Sequence, residues 1–156
     1  MKRLLIYVDT SVVGGCEEPE FSEGSLRLWR CFIEGRYRMA LSELTLNELK
    51  AAPASVRRRI EEVPSSNVTV LAEGPEATEL AQEYLARGIL GPGSHADARH
   101  VALATVGHAD ILVSWNFRHI VNVSRIWRFH AINVELGYGM PEIRTPLEVM
   151  DYGERL

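Results

Sequence analysis

The feature that most constrains this chain is the unbroken apolar run Leu4, Leu5, Ile6, Tyr7, Val8, which ends at Asp9. A strand built from such a run has no polar face to offer water, so it must be covered on both sides, as in a parallel sheet with helices above and below it. A strand with one wet face would alternate instead. The run is also too short for the apolar stretch of a secretion signal or for a membrane span. A cytoplasmic protein with no membrane partner is expected.

The remaining sequence alternates as such a sheet requires. Residues 38–42 read as a further buried strand, 68–71 and 111–114 as strands, and the segment from Glu142 as a short strand or extended arm. Between them, helical spacing is expected over 22–34, where Leu26, Leu28, Trp29, Phe32 and Ile33 recur with Ser22 as cap and Gly35 as stop. Further helices are expected before Pro53 and over 54–62, 76–87, 95–107 and 118–130, with a last turn at 147–150. No repeat or linker interrupts the 156 residues, and 46% hydrophobic content supplies a core without staples, so a single domain over 1–156 is expected. Cys16 and Cys31 have no paired spacing and read as free thiols.

Open α/β sheets carry their ligands beyond the C-terminal ends of the strands, which directs attention to the acids placed there. Asp9 follows the first strand, either as a ligand or as the cap of the next helix. Glu48 lies in the apolar stretch Leu44 to Leu49, where it either faces solvent or needs a partner or a metal. Asp97 opens an alanine-rich helix, a position that the helix dipole favours by itself. Together the three offer hard oxygen ligands for Mg²⁺ or Mn²⁺. Asp110 precedes its strand and belongs at the opposite end of the sheet, where a structural role is expected.

His95 and His100 flank Asp97, and a histidine satisfied by a core hydrogen bond is the commoner outcome than a catalytic one. His119 is a candidate contact to substrate phosphate. The formal charge of −4 argues against a polyanion partner held by bulk charge. Nucleic-acid binding would rest on a bound cation or on local patches such as Arg57, Arg58 and Arg59, or Arg118, Arg125 and Arg128.

Four blocks taken in order, residues 7–11, 41–49, 97–104 and 109–120, resemble those of PIN-domain proteins, particularly the VapC-type toxins of toxin-antitoxin pairs. The resemblance implies a three-layer α/β/α domain around a central parallel sheet of about four to five strands. It implies a Mg²⁺- or Mn²⁺-dependent endoribonuclease, with Asp9, Glu48 and Asp97 as metal ligands and Ser114 and Asn116 completing the site. Asn116 and His119 stand where many members carry further acids, which departs from the family's four-acid pattern. RNA as substrate, a cognate antitoxin and a homodimer are the implied partners. Leu26, Trp29 and Phe32 are candidates for the apolar surface of a dimer or antitoxin groove, with ordinary core packing the commoner use of such residues. Two other readings stand beside this one: a PIN-like binding or interaction module without cleavage, and a receiver-like or phosphatase domain with Asp9 as phosphoryl acceptor. Against the latter, Ser11 occupies the position where a second acid would help.

Overall fold

A computed structural model describes residues 2–91 and 93–149. Its five strands are β1 (Leu5–Val8), β2 (Arg38–Ser42), β3 (Val68–Leu71), β4 (Ile111–Val113) and β5 (Glu142–Arg144), all parallel in the order β3-β2-β1-β4-β5. The helices are α1 (Thr10–Gly15), α2 (Ser22–Ile33), α3 (Glu43–Leu49), α4 (Ala54–Arg58), α5 (Pro75–Ala86), α6 (His95–Val106) and α7 (Val123–Glu135), with 3-10 turns at Ile60–Glu62 and Ser65–Asn67.

The period of two along a strand divides the core in half. Tyr7, Ala40, Leu112 and Ile143 point to one face and pack on α5, α6 and α7, where Leu80, Tyr84, Val101 and Phe129 complete the layer. Ile6, Val8, Met39, Leu41 and Val113 point to the other face, against Val12 and Val13 of α1 and Leu28, Trp29 and Phe32 of α2. Both faces of the central strands are therefore dry, which is why their sequences lack polar alternation. Cys16 and Cys31 are free and buried, and burial pushes the Cys16 thiol up to about 12, so it stays protonated.

Three expectations need correction. Ser22 does not cap α2 but lies inside it; Phe21 holds the cap position without a side-chain hydrogen bond. Trp29 and Phe32 are core residues, which leaves only Leu26 of that trio exposed, so they present no apolar surface to a partner. The helix expected over 118–130 starts and ends later, because the Asn122 side chain accepts from the Arg125 backbone N–H at 2.9 Å and fixes the first turn of α7 there. Residues 146–149 are helical, as expected, and Met150 of that turn lies outside the described residues. No helix among the described residues is long and apolar enough to cross a membrane.

Strand order places the topological switch between β1 and β4, because the chain proceeds from β1 to β2 on one side and returns to β4 on the other. A crevice opens beyond the C-terminal ends at such a point. Asp9 and Ser114, the residues immediately after β1 and β4, stand there side by side.

Candidate functional site

Asp9 ends β1 and caps α1, its carboxylate accepting from the Val12 backbone N–H at 3.2 Å and from the Ser11 hydroxyl at 2.6 Å. On its other oxygen it accepts from the Ser114 hydroxyl at 2.5 Å. Both readings of Asp9, cap and site residue, are thus compatible in one side chain. Burial pushes its pKa up, against the opposing pull of His100 and of the Ser11, Ser114 and Val12 hydrogen bonds.

Glu48 stands on α3 and points inward: its Oε1 accepts from the Thr10 hydroxyl at 2.8 Å and lies 2.6 Å from His100 Nε2. Burial raises its pKa, but the hydrogen bond and charge of His100, with help from Thr10 and Arg99, outweigh that and leave it below the ordinary carboxylate value. His100 in turn is fixed on its other nitrogen, with Nδ1 at 2.7 Å from the Tyr7 hydroxyl, itself 2.7 Å from Ser42 Oγ. Burial raises the Tyr7 pKa far above neutrality, so Tyr7 keeps its proton.

Asp97 lies in the first turn of α6 and accepts from the Asn116 side-chain amide at 3.1 Å. Its pKa is pushed up first by burial and further by the charge of Asp9, with His119 and His100 pulling it down. Asn116 is held at both ends, since its Oδ1 accepts from the His119 backbone N–H at 2.9 Å. Its own backbone N–H donates to Ser114 Oγ at 2.9 Å, so Ser114 is a fully buried hinge between Asp9 and Asn116. His119 keeps a buried Nδ1 without a hydrogen-bond partner among the described residues.

The segment after β4 is anchored by Trp115. Its indole donates to Ser25 Oγ at 2.9 Å and its ring stacks on Phe21 at 4.7 Å. Gly15 and Gly24 make this seat: a Cβ on Gly15 would come within 2.8 Å of the indole nitrogen, and one on Gly24 within 2.9 Å of the ring. Two glycines on α1 and α2 therefore set the position of the residues next to Asp97.

The structure thus brings Asp9, Glu48, Asp97, Ser114 and Asn116 to one end of the sheet. Asp110 is at the other, accepting from the Leu5 backbone N–H at 2.8 Å to tie β4 to the start of β1. His100 is buried with a hydrogen bond to core Tyr7, the commoner outcome for such a residue, and its other nitrogen touches Glu48, a partner that its one-turn spacing from Asp97 does not name.

The donors are right in kind for a hard dication, and Glu48 Oε2 and Asp97 Oδ2 accept no hydrogen bond among the described residues. As the side chains stand, no group of three or more His, Cys, Asp or Glu among the described residues is placed to hold a metal ion. Holding one would need the carboxylates to close on a common point.

No protein-family model and no curated protein matches the sequence. Solved structures do match. VapC20 of Mycobacterium tuberculosis, a sarcin-ricin-loop-cleaving toxin, aligns over 73% of this chain and 92% of its own with a TM-score of 0.56 at 20% identity. VapBC from Salmonella typhimurium, bound to DNA, aligns over 92% of this chain and 98% of its own, with a TM-score of 0.53 at 19% identity. VapBC2 from Rickettsia felis, bound to a fragment of promoter DNA, aligns over 74% and 90%, with a TM-score of 0.52 at 14% identity. The chain has the PIN-like α/β/α fold of these VapC structures, with its central parallel sheet.

Proposed function

We propose that this chain is a Mg²⁺- or Mn²⁺-dependent endoribonuclease, the toxin of a toxin-antitoxin pair. The observation that carries the reading is the placement of Asp9 and Asp97, two buried or half-buried carboxylates close enough for the charge of one to raise the pKa of the other, at the switch point of a PIN-like sheet. Like charges held together at a crevice are costly without a cation, and such cost is most often retained where chemistry uses it.

In this reading Asp9, Glu48 and Asp97 hold the cation. A divalent ion bound there supplies a water of lowered pKa and neutralises charge on the scissile phosphodiester. The protein's own part is orientation. Ser11 and Ser114 fix both oxygens of Asp9, Asn116 aims Asp97, and His100 with Thr10 aims Glu48. Reversal of the local sign by the cation allows a chain of net charge −4 to receive a polyanion at an acidic site.

A cognate antitoxin is the partner that goes with this reading, supported by the likeness to two VapBC structures. A second reading, a PIN-like module that binds RNA or protein without cutting, draws on Asn116 in a place suited to an acid. Cleavage separates the two. Single-stranded RNA incubated with the purified protein is expected to be cut with Mg²⁺ or Mn²⁺ and spared in EDTA. Cutting that persists undiminished in EDTA sinks the metal-dependent reading, and intact RNA under all conditions favours the binding module.

A further inference from the structure

From Ile111 to Val134 the chain contains no aspartate or glutamate, yet it carries Arg118, Arg125 and Arg128 in a protein of net charge −4. This segment comprises β4, the turn after Asn116 and most of α7. Elsewhere Arg36, Arg59, Arg87, Arg99 and Arg144 each lie against a carboxylate. Arg118 and Arg125 make no ion pair among the described residues.

Of the four aromatic rings in the same segment, Trp115 and Phe129 are buried and the other two are exposed. Trp127 is 71% exposed and Phe117 52%, whereas Trp29 and Trp115 are buried. Leaving a tryptophan ring in water forgoes a large apolar burial, and tryptophan is enriched where surfaces bind partners. Phe117 follows Asn116 directly and leans on Trp115 at 6.3 Å. The turn and the helix are joined by Asn122, whose amide donates to the carbonyls of Phe117 and Arg118 at 3.0 and 2.9 Å while its oxygen caps α7. Phe117, Arg118 and the first turn of α7 are therefore one braced unit that begins at the candidate site, and Trp127 stands on the solvent side of α7, away from its buried Phe129.

We infer that the surface from Phe117 to Trp127 is the track along which a single-stranded RNA approaches the carboxylates, with bases stacked on Phe117 and Trp127 and phosphates met by Arg118. The inference rests on the ribonuclease reading and adds the means of holding the strand. Aromatic faces accept any base, and arginines without acidic neighbours meet the backbone, which is the combination that single-strand binding requires. A protein partner would be an alternative occupant of the exposed rings. The absence of any acid over this segment and its direct junction with Asn116 favour the polyanion.

The test uses the full chain carrying Asp97→Asn, so that a fluorescein-labelled single-stranded oligoribonucleotide of mixed sequence is bound without being cut. RNA is expected to quench the emission of Trp127, and the quench to vanish in Trp127→Phe. Trp127→Ala or Phe117→Ala should weaken binding about ten-fold. Arg118→Gln should lower the slope of log affinity against log salt by about one. These side chains are exposed or only partly buried, and unchanged melting temperatures will show that the fold survives. Parental affinity in both ring variants overturns the track. So does unchanged RNA affinity combined with loss of self-association or of a co-expressed antitoxin, which would make the face a protein-docking surface. RNA that is bound through the rings but never cut by the unmutated chain upholds the track and refutes the ribonuclease. Cutting with unchanged KM in Trp127→Ala does the opposite.

Discussion

His100 Nε2 lies 2.6 Å from Glu48 Oε1 while His100 Nδ1 lies 2.7 Å from the Tyr7 hydroxyl, so one buried imidazole ties the middle of β1 to the acid of α3. Three layers of consequence follow from sequence to site. Tyr7 points toward α6 because the strand period sends Ile6 and Val8 the other way. Its buried hydroxyl then needs partners, which Ser42 and His100 provide. His100, so held, directs its second nitrogen at Glu48.

Tyr7→Phe tests this chain of support. The substitution keeps the ring and its packing but leaves His100 Nδ1 without its partner in a dry site, a loss of about 1–3 kcal/mol. For a chain of this size each kcal/mol lowers Tm by about 2–4 °C. Thermal melts should show that fall, and the His100 ring resonances in NMR should shift with it. An unchanged melt and unchanged ring resonances would show that Tyr7 does not hold the imidazole.

The raised carboxyls give the metal-free protein an unusual dependence on pH. Asp9 and Asp97 both sit above their ordinary value of 3.8, burial being the first cause for each. A carboxyl raised by folding favours the folded state below its ordinary value, and that contribution is lost as pH rises through the raised one. Glu48 runs the other way: lowered by folding, it contributes above its ordinary value of 4.5, and this is lost as pH falls through the depressed value. In EDTA, stability should therefore decline as the solution is taken from mildly acid to neutral pH. Asp97→Asn removes one of the two charges responsible while an amide oxygen can still accept from Asn116. It should flatten that decline and gain on the order of 1 kcal/mol at neutral pH, about 2–4 °C in Tm. Parallel melting curves against pH for the two proteins, or a lower Tm for the variant at neutral pH, would contradict this.

Why some of this was legible in the sequence and some was not follows from the range over which each signal acts. Buried strands announce themselves locally, as the apolar runs of β1 and β2 do, whereas β3 is only partly covered and Glu142 to Arg144 has no apolar run, which is why its sequence fits a strand or an extended arm equally. The positions of Asp9, Ser114 and Asp110 then follow from strand direction alone, since a residue before a parallel strand and one after it must lie at opposite ends. Helix limits depend on caps, and the late start of α7 was hidden in Asn122, one polar residue among several in its turn. The roles of Tyr7 and His100 depend on a contact between residues far apart in the chain, which no local pattern carries. For the same reason Trp29 and Phe32 could not be assigned to core or surface until α2 was docked on the sheet.

Asn116 offers the sharpest test of the candidate site, because it is the neutral residue where a further acid would be expected from the resemblance. In the metal-free chain its neutrality is useful: the amide donates to Asp97 at 3.1 Å, and its oxygen accepts from the His119 backbone N–H at 2.9 Å. Asn116→Asp keeps the second bond and reverses the first, setting a carboxylate against a carboxylate whose pKa burial and Asp9 have already raised. Without a cation the variant should lose about 1–2 kcal/mol, the cost of an unmet buried acceptor and a new like-charge contact. With Mn²⁺ the sign inverts, since the added charge becomes a hard oxygen ligand near the others. Titration calorimetry should show tighter Mn²⁺ binding than in the unmutated chain, and Mn²⁺ should raise the variant's Tm by more than it raises the parent's. A variant destabilised in EDTA and equally destabilised in saturating Mn²⁺ would mean that Asn116 braces Asp97 but does not border a cation site.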